Sequence, residues 1–133
     1  MALTVIDAGV VIAVLDAADS HHAVAVDAVR DALARGQTLV LPVSAYAEVL
    51  VAPFRRDAKS AAVVDSFIDA LPATVQPTTR EIGRVAAQLR AEHGPRLRLP
   101  DSLVIATALE LAADRLLTTD RRWPEVGLPV AAV

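Results

Sequence analysis

The segment Leu3-Thr4-Val5-Ile6-Asp7 places a carboxylate directly after a short run of apolar and β-branched residues. Such a run predicts a buried strand over residues 3–6, and the spacing of apolar residues over 9–17 predicts a helix immediately after it. A strand that leads straight into a helix is typical of α/β proteins. Asp7 therefore lies at the carboxyl end of a predicted strand, which is the edge where open α/β sheets form their ligand sites.

The rest of the chain continues this alternation of strand-like and helix-like segments. Thr78 and Glu81 have the spacing of a capping box, and Gly94-Pro95 supplies a stop signal for the helix between them. Pro129 has no N–H to donate, so the last predicted strand belongs near a sheet edge. The pattern predicts further helices near residues 21–35, 44–53, 58–70, 79–93 and 101–109, and strands near 38–41, 74–76, 115–119 and 128–133. We predict one α/β domain over residues 1–133.

The composition limits the cellular setting. The chain has 133 residues, 54% of them hydrophobic, which is enough for one ordinary core. It has no cysteine, so disulfides and thiolate metal sites are excluded and any metal must be held by oxygen or histidine. The start of the sequence lacks the basic region of a signal peptide, and the longest uncharged stretch, residues 36–47, is too short to cross a bilayer. We expect a cytoplasmic protein that does not bind membranes.

The formal net charge of −3 argues against a broad basic surface for nucleic acid. Two bound divalent ions would nevertheless bring the net charge to about +1, because bound ions dominate local charge. Basic residues are also grouped rather than dispersed. The groups are Arg55, Arg56 and Lys59; Arg90, Arg96 and Arg98; and Arg121 and Arg122.

Four carboxylates lie at the borders of, or inside, apolar segments: Asp7, Glu48, Asp101 and Asp120. Three of them have an ordinary structural explanation. Asp7 and Asp101 stand where helices are predicted to start and could cap them, and Asp120 could bond its own backbone in a turn. Each of these three is weak evidence when taken alone.

Glu48 lacks such an explanation, because it lies inside the apolar segment 43–51. A capping box with Ser44 requires an acid at position 47, which is alanine. Arg55 and Arg56 are beyond the i+4 reach of a helical ion pair. An unpaired buried carboxylate costs several kcal/mol, in order-of-magnitude terms, or loses its charge. Glu48 is therefore predicted to meet a metal ion or a distant arginine.

Carboxylate oxygens are the ligands that Mg²⁺ and Mn²⁺ prefer. Paired ions of this kind activate water and stabilise the attacking and leaving oxygens during phosphodiester hydrolysis. The four acids together predict a metal-dependent phosphodiesterase site. Since only 3% of the residues are aromatic, a platform for stacking bases is not expected.

Four motifs occur in a fixed order: residues 5–12 (VIDAGVVI), 44–48 (SAYAE), 99–108 (LPDSLVIATA) and 116–120 (LLTTD). In this order they resemble the motifs of PIN-domain ribonucleases, in particular VapC-type toxins. The resemblance covers essentially the whole chain. It implies a three-layer α/β/α sandwich with a mostly parallel five-stranded sheet. It also implies Mg²⁺- or Mn²⁺-dependent endoribonuclease activity, a homodimer and neutralisation by a cognate antitoxin protein.

By position, Asp7, Glu48, Asp101 and Asp120 match the acidic quartet of that family. Thr118 matches a hydroxyl residue that supports the site through hydrogen bonds. We expect Ser44 at the helix N-cap, where it would direct Glu48 inward. Gly9 departs from the family pattern. Many family members carry Ser, Thr or Asn at the position of Gly9, so one hydroxyl near the site is missing. The resemblance leaves tRNA, rRNA and mRNA open as substrates.

Two other classes of function compete with a nuclease. In a non-catalytic binding module, the acidic cleft would dock a partner that carries an arginine, and Gly9 is the feature that favours this alternative. A receiver domain or aspartyl phosphatase fits less well, because the only lysine, Lys59, does not follow a strand and the segment after Asp7 lacks a second acid.

Overall fold

A parallel sheet of five strands, in the order β3-β2-β1-β4-β5, organises the computed structural model, which describes residues 2–133. Every strand pairing is parallel. The predicted α/β sandwich is therefore confirmed. In chain order the elements are β1 (Leu3–Ile6), α1 (Ala8–Leu15), α2 (His22–Ala34), β2 (Thr38–Pro42), α3 (Val43–Arg56), α4 (Ala58–Ala70), β3 (Ala73–Gln76), α5 (Arg80–His93), a 3₁₀ turn (Gly94–Arg96), α6 (Leu99–Glu110), β4 (Arg115–Thr118) and β5 (Val130–Ala132).

The strand order reverses at β1. The chain builds outward from β1 through β2 to β3 on one side and later adds β4 and β5 on the other. A crevice forms at the carboxyl ends of the strands where such an order reverses, here between β1 and β4. The register places Ile6 beside Leu117, and the backbone N–H of Asp7 donates to the carbonyl of Leu117 at 3.0 Å. Asp7 thus stands at the mouth of this crevice.

The core explains why the central strands are continuously apolar. Val5, Leu39 and Leu116 are at most 1% exposed, as expected for parallel strands that helices cover on both faces. Helix α6 contacts β1, β2 and β4, and its residues 104–108 are all buried. The packing of α6 against three strands places its first turn near the crevice.

Three local details differ from the sequence prediction. Helix α3 begins at Val43 directly after β2, so Ser44 lies in its first turn and is not the N-cap. The cap of α5 is Thr79, whose Oγ1 accepts a hydrogen bond from the N–H of Ile82 at 3.2 Å, so Thr78 is not the cap and the predicted capping box with Glu81 does not form. Helix α6 begins at Leu99, so Asp101 lies within its first turn.

The position of the last strand agrees with the prediction. Strand β5 pairs only with β4 and forms one edge of the sheet. Pro129 precedes it and uses its carbonyl to accept from Leu116 N–H at 3.0 Å. Among residues 2–133, no helix combines the length and the apolar character needed to cross a membrane.

Candidate active site

Asp7 is the most buried of the four acids, with 8% of its surface exposed. It caps helix α1, since its Oδ1 accepts from the N–H of Ala8 at 2.8 Å, and its Oδ2 accepts from the Thr118 hydroxyl at 2.9 Å. Burial, assisted by the charges of Asp101 and Glu48, raises the pKa of Asp7 from 3.8 to about 6, although both hydrogen bonds act in the opposite direction. Capping of α1 therefore explains one oxygen of Asp7, but the negative charge of this carboxylate is still destabilised by burial.

Thr118 connects two of the acids. It is the last residue of β4 and is fully buried. Its hydroxyl donates to Asp7 and accepts from the backbone N–H of Asp120 at 3.1 Å. One side chain therefore fixes the orientation of Asp7 and the backbone that carries Asp120.

Asp101 and Glu48 approach the crevice from two helices, α6 and α3. Partial burial raises the pKa of Asp101, and the charge of Asp120 raises it further. The pKa of Glu48 is raised by partial desolvation and by the charge of Asp101, while Arg98 counteracts both shifts. These mutual effects indicate that the acids face a common region of negative potential.

The side chain of Glu48 is exposed, so the expectation of a buried charge at this position was wrong. Its apolar neighbours Val49 and Leu50 turn toward the core on another face of α3. The expected role of Ser44 as the cap that directs Glu48 also fails, because Ser44 is already helical. Its hydroxyl is buried and has no hydrogen-bond partner among residues 2–133.

Asp120 is engaged by Arg122. The guanidinium lies 3.2 Å (Nη2) and 3.4 Å (Nε) from the carboxylate, and the backbone N–H of Arg122 donates to the same group at 2.7 Å. Burial alone would raise the pKa of Asp120, but these contacts and the charge of Arg98 lower it below its usual value. The Arg122 side chain is 87% exposed, so solvent and competing ligands have access to this ion pair.

No three of the acids or histidines within residues 2–133 are close enough together to enclose a metal ion. The donor chemistry nevertheless suits Mg²⁺ or Mn²⁺. Such ions keep several waters and take only one or two protein carboxylates directly. The raised pKa values of Asp7, Glu48 and Asp101 are the expected sign of a site where a cation would relieve repulsion.

Two features near the acids were not predicted from the sequence. One is Trp123, whose indole N–H is buried without a well-formed hydrogen bond and lies near enough to Asp101 to lower the pKa of that carboxyl. Gly9, in the first turn of α1, faces Thr119, and a Cβ at position 9 would collide with the Thr119 hydroxyl. Gly9 is thus explained by close packing.

These observations define a class of protein: an α/β fold whose acidic crevice lies where the strand order of a parallel sheet reverses. The model of the PIN domain matches residues 4–128, and the chain therefore belongs to the PIN-domain family. Comparison with curated proteins by sequence gives no match.

Solved structures with the same fold include a bacterial toxin and several toxin–antitoxin complexes. The DNA-bound VapBC complex from Salmonella typhimurium aligns with a TM-score of 0.76 and 16% identity, covering 99% of this chain and 98% of that one. The DNA-bound VapBC2 complex from Rickettsia felis gives 0.74 and 14%, covering 98% of both chains. The Mycobacterium tuberculosis toxin VapC20, described as cleaving the sarcin–ricin loop, gives 0.68 and 16%, covering 85% and 86%.

Replacement of Arg122 by alanine is expected to tighten Mn²⁺ binding by about 2- to 5-fold, because the carboxylate of Asp120 loses an exposed competing cation. Isothermal titration calorimetry of the purified protein measures this directly. Arg121→Ala is the matched control, since it removes the same charge one residue away. Equal effects of the two substitutions, or weaker binding in Arg122→Ala, would contradict competition at Asp120.

Proposed function

We propose that this protein is a divalent-metal-dependent endoribonuclease that acts as the toxin of a toxin–antitoxin pair. One observation carries the proposal: Asp7, Glu48 and Asp101 approach the crevice from three separate parts of the fold, and desolvation, partial for Glu48 and Asp101, together with repulsion from neighbouring acids raises the pKa of each. Perturbed carboxylates in a crevice at the carboxyl edge of the sheet are the arrangement expected for metal-assisted catalysis.

In the proposed mechanism, Asp7, Asp101 and Asp120 would hold Mg²⁺ or Mn²⁺ directly, and Glu48 would act through water because its side chain is exposed. The chemistry supplied by such ions, when bound, would be Lewis acidity and a lowered pKa of water at the site. Thr118 keeps the Asp7 carboxylate in place through its hydrogen bond. Water attacks phosphorus and the P–O3′ bond breaks; the water oxygen stays on the 5′-phosphate and a proton from that water passes to O3′, which leaves a 3′-hydroxyl.

The role as a toxin is supported by the kind of proteins that share the fold. Several of them are toxin–antitoxin complexes, including one from Klebsiella pneumoniae. We propose a cognate antitoxin as the protein partner, RNA as the substrate, a homodimer as the assembled form and the cytoplasm as the location. The single domain over residues 1–133 remains a prediction.

A second candidate is the non-catalytic docking module. One contact favours it: Asp120 already accepts a guanidinium, from Arg122, so the cleft is suited to an arginine of a partner. Gly9 no longer supports it, because the packing of Thr119 explains that residue. Calorimetry with Mn²⁺ separates the two, since a docking module has no need for metal binding in the micromolar range.

The test of the proposed function is cleavage of total RNA by the purified protein in Mn²⁺, in Mg²⁺ and in excess EDTA. We expect cleavage with either metal, none in EDTA, and 5′-phosphate and 3′-hydroxyl ends by end-specific ligation and sequencing. Asp69→Asn, an exposed acid on α4, is a control that should leave cleavage unchanged. Activity that survives EDTA, or ends that carry 2′,3′-cyclic phosphate, would rule the proposal out.

A further inference from the structure

A cleft of 440 Å³ is lined by two of the acids, Asp101 and Asp120, and by three arginines, Arg96, Arg98 and Arg122. It opens between the turn that precedes α6 and the segment that follows β4. Three cations thus face two of the four acids. This excess of positive charge is local, because the chain as a whole is acidic.

The backbone anchors two of these arginines while their side chains stay free. Arg96 and Arg98 are exposed and flank Leu97, which is completely buried. Neither guanidinium makes an ion pair with any of residues 2–133. The charge of Arg98 still lowers the pKa of Glu48, Asp101 and Asp120, so it lies within electrostatic reach of three acids without being neutralised by any one of them.

We propose that Arg96, Arg98 and Arg122 form a subsite for the RNA phosphates that flank the scissile bond. This inference rests on the proposed nuclease function. Four acids repel a polyanion, so a nuclease needs fixed cations next to them, and guanidinium groups bind phosphate through two parallel hydrogen bonds. Free guanidinium groups on an anchored turn meet that need.

The opposite side of the crevice cannot serve the same purpose. The groove next to Glu48, between α1, α3 and α4, is predominantly apolar and includes Ile12, Val49 and Val63. Arg56 is the one cation among the residues that line this groove. We therefore place the RNA backbone on the side of Asp101 and Asp120. Arg122 contacts the RNA once its guanidinium is released by Asp120.

The test uses the wild-type protein in EDTA, where a metal-dependent nuclease is expected to bind RNA without cutting it, and a fluorescein-labelled single-stranded 12-mer of mixed sequence. We expect Arg98→Ala to weaken binding about 5-fold by fluorescence anisotropy and to reduce the slope of log affinity against log salt by about 0.7, the value for one lost phosphate contact on single strands. Arg96→Ala should behave in the same way. An oligouridine probe should show the same loss, because phosphates carry no sequence information.

The control is Arg84→Ala, an exposed arginine on α5 that pairs with Glu81 away from the cleft. Equal affinities and salt slopes for Arg98→Ala and Arg84→Ala would overturn the subsite, while cleavage by the wild type would leave the nuclease proposal intact. A wild-type protein that neither binds nor cleaves RNA would overturn both. Thermal melting that is unchanged in Arg98→Ala excludes misfolding as the cause of a loss.

A different observation, the collision at Gly9, supports a second inference. The Thr119 hydroxyl makes no hydrogen bond within residues 2–133, and it lies against the first turn of α1 just past Asp7. Its neighbours in the chain are Thr118, which holds Asp7, and Asp120. We infer that Thr119 is a positioning residue whose hydroxyl orients water around the metal ions, and that glycine at position 9 makes room for it.

A double-mutant cycle with Gly9→Ala and Thr119→Ala tests this role. Gly9→Ala should lower the melting temperature, and adding Thr119→Ala should restore it because the colliding hydroxyl is gone. Calorimetry should instead show Mn²⁺ binding weakened at least about 3-fold in both variants that contain Thr119→Ala, and normal binding in Thr119→Ser. If the double variant binds Mn²⁺ as the wild type does, the hydroxyl only fills space and the inference fails.

Discussion

The substitution Asp7→Asn is expected to abolish cleavage and, in the absence of metal, to stabilise the fold. Activity should fall at least about 100-fold, since even the partners that orient metal ligands contribute 10- to 100-fold. The gain in stability arises because burial penalises the Asp7 carboxylate, raising its pKa from 3.8 to about 6. That shift corresponds to about 3 kcal/mol at neutral pH. Asparagine fits the hydrogen bond from Thr118 less well, so a net gain of about 1–2 kcal/mol remains.

The sign of this effect predicts its pH dependence. A carboxyl whose pKa is higher in the folded state than in the unfolded state costs no stability below the unfolded pKa, where both states are protonated. The penalty grows as the pH rises from about 4 to about 6 and is constant above that. The stabilisation of Asp7→Asn over wild type should therefore be complete at pH 7.5 and small at pH 4.

Urea unfolding in EDTA at the two pH values measures the difference, and addition of Mn²⁺ provides the internal control. Binding to the folded state stabilises the wild type in proportion to the logarithm of free metal, whereas the variant has lost a ligand and should gain little. In Mn²⁺, the unfolding free energies of the wild type and of Asp7→Asn should therefore converge or reverse their order. Equal stability of the two proteins in EDTA at pH 7.5 would contradict a buried, destabilised charge at Asp7.

Local sequence patterns were sufficient to predict the strands and to place Asp7 and Asp120 at carboxyl ends. The reason is physical: parallel strands covered by helices on both faces must be apolar throughout, so their ends are sharp in the sequence. The pattern does not contain the strand order. It is the pairing of β1 with β4 that brings Thr118 to Asp7, across 111 positions of sequence.

Glu48 was selected for a reason that the structure does not support. Apolar neighbours along a helix lie about 100° apart around its axis, so they do not determine whether a given side chain is buried. Glu48 is exposed while Val49 is buried. Its membership of the candidate site rests instead on its electrostatic coupling to Asp7 and Asp101.

Other contributors to the site leave weaker signals in the sequence. Arg98 was noted as part of a basic group, but its approach to three acids depends on the buried anchor at Leu97. The contact between Gly9 and Thr119 joins two elements that are remote in sequence, so Gly9 was interpreted as a missing hydroxyl. Both cases concern tertiary packing, which no local pattern encodes.

Thr118→Val should impair the protein in a way that separates support of the site from ligation. Valine has nearly the same shape but cannot donate to Asp7 Oδ2 or accept from the N–H of Asp120, and position 118 is fully buried. The loss of these bonds should cost about 1–3 kcal/mol of unfolding free energy. The pKa of Asp7 should rise further, because the bond from Thr118 lowers it.

Asp7 also loses the hydrogen bond that orients its carboxylate, so Mn²⁺ affinity at pH 7 should fall by about 10- to 100-fold in Thr118→Val, and the higher pKa adds competition from protons. The pH at which Mn²⁺ binding is half-maximal should move upward, a change that destabilisation alone does not produce. Thr118→Ser retains the hydroxyl and should stay within about 3-fold of wild type in calorimetry. If Thr118→Val binds Mn²⁺ as tightly as the wild type, the hydrogen bonds of Thr118 do not support the site.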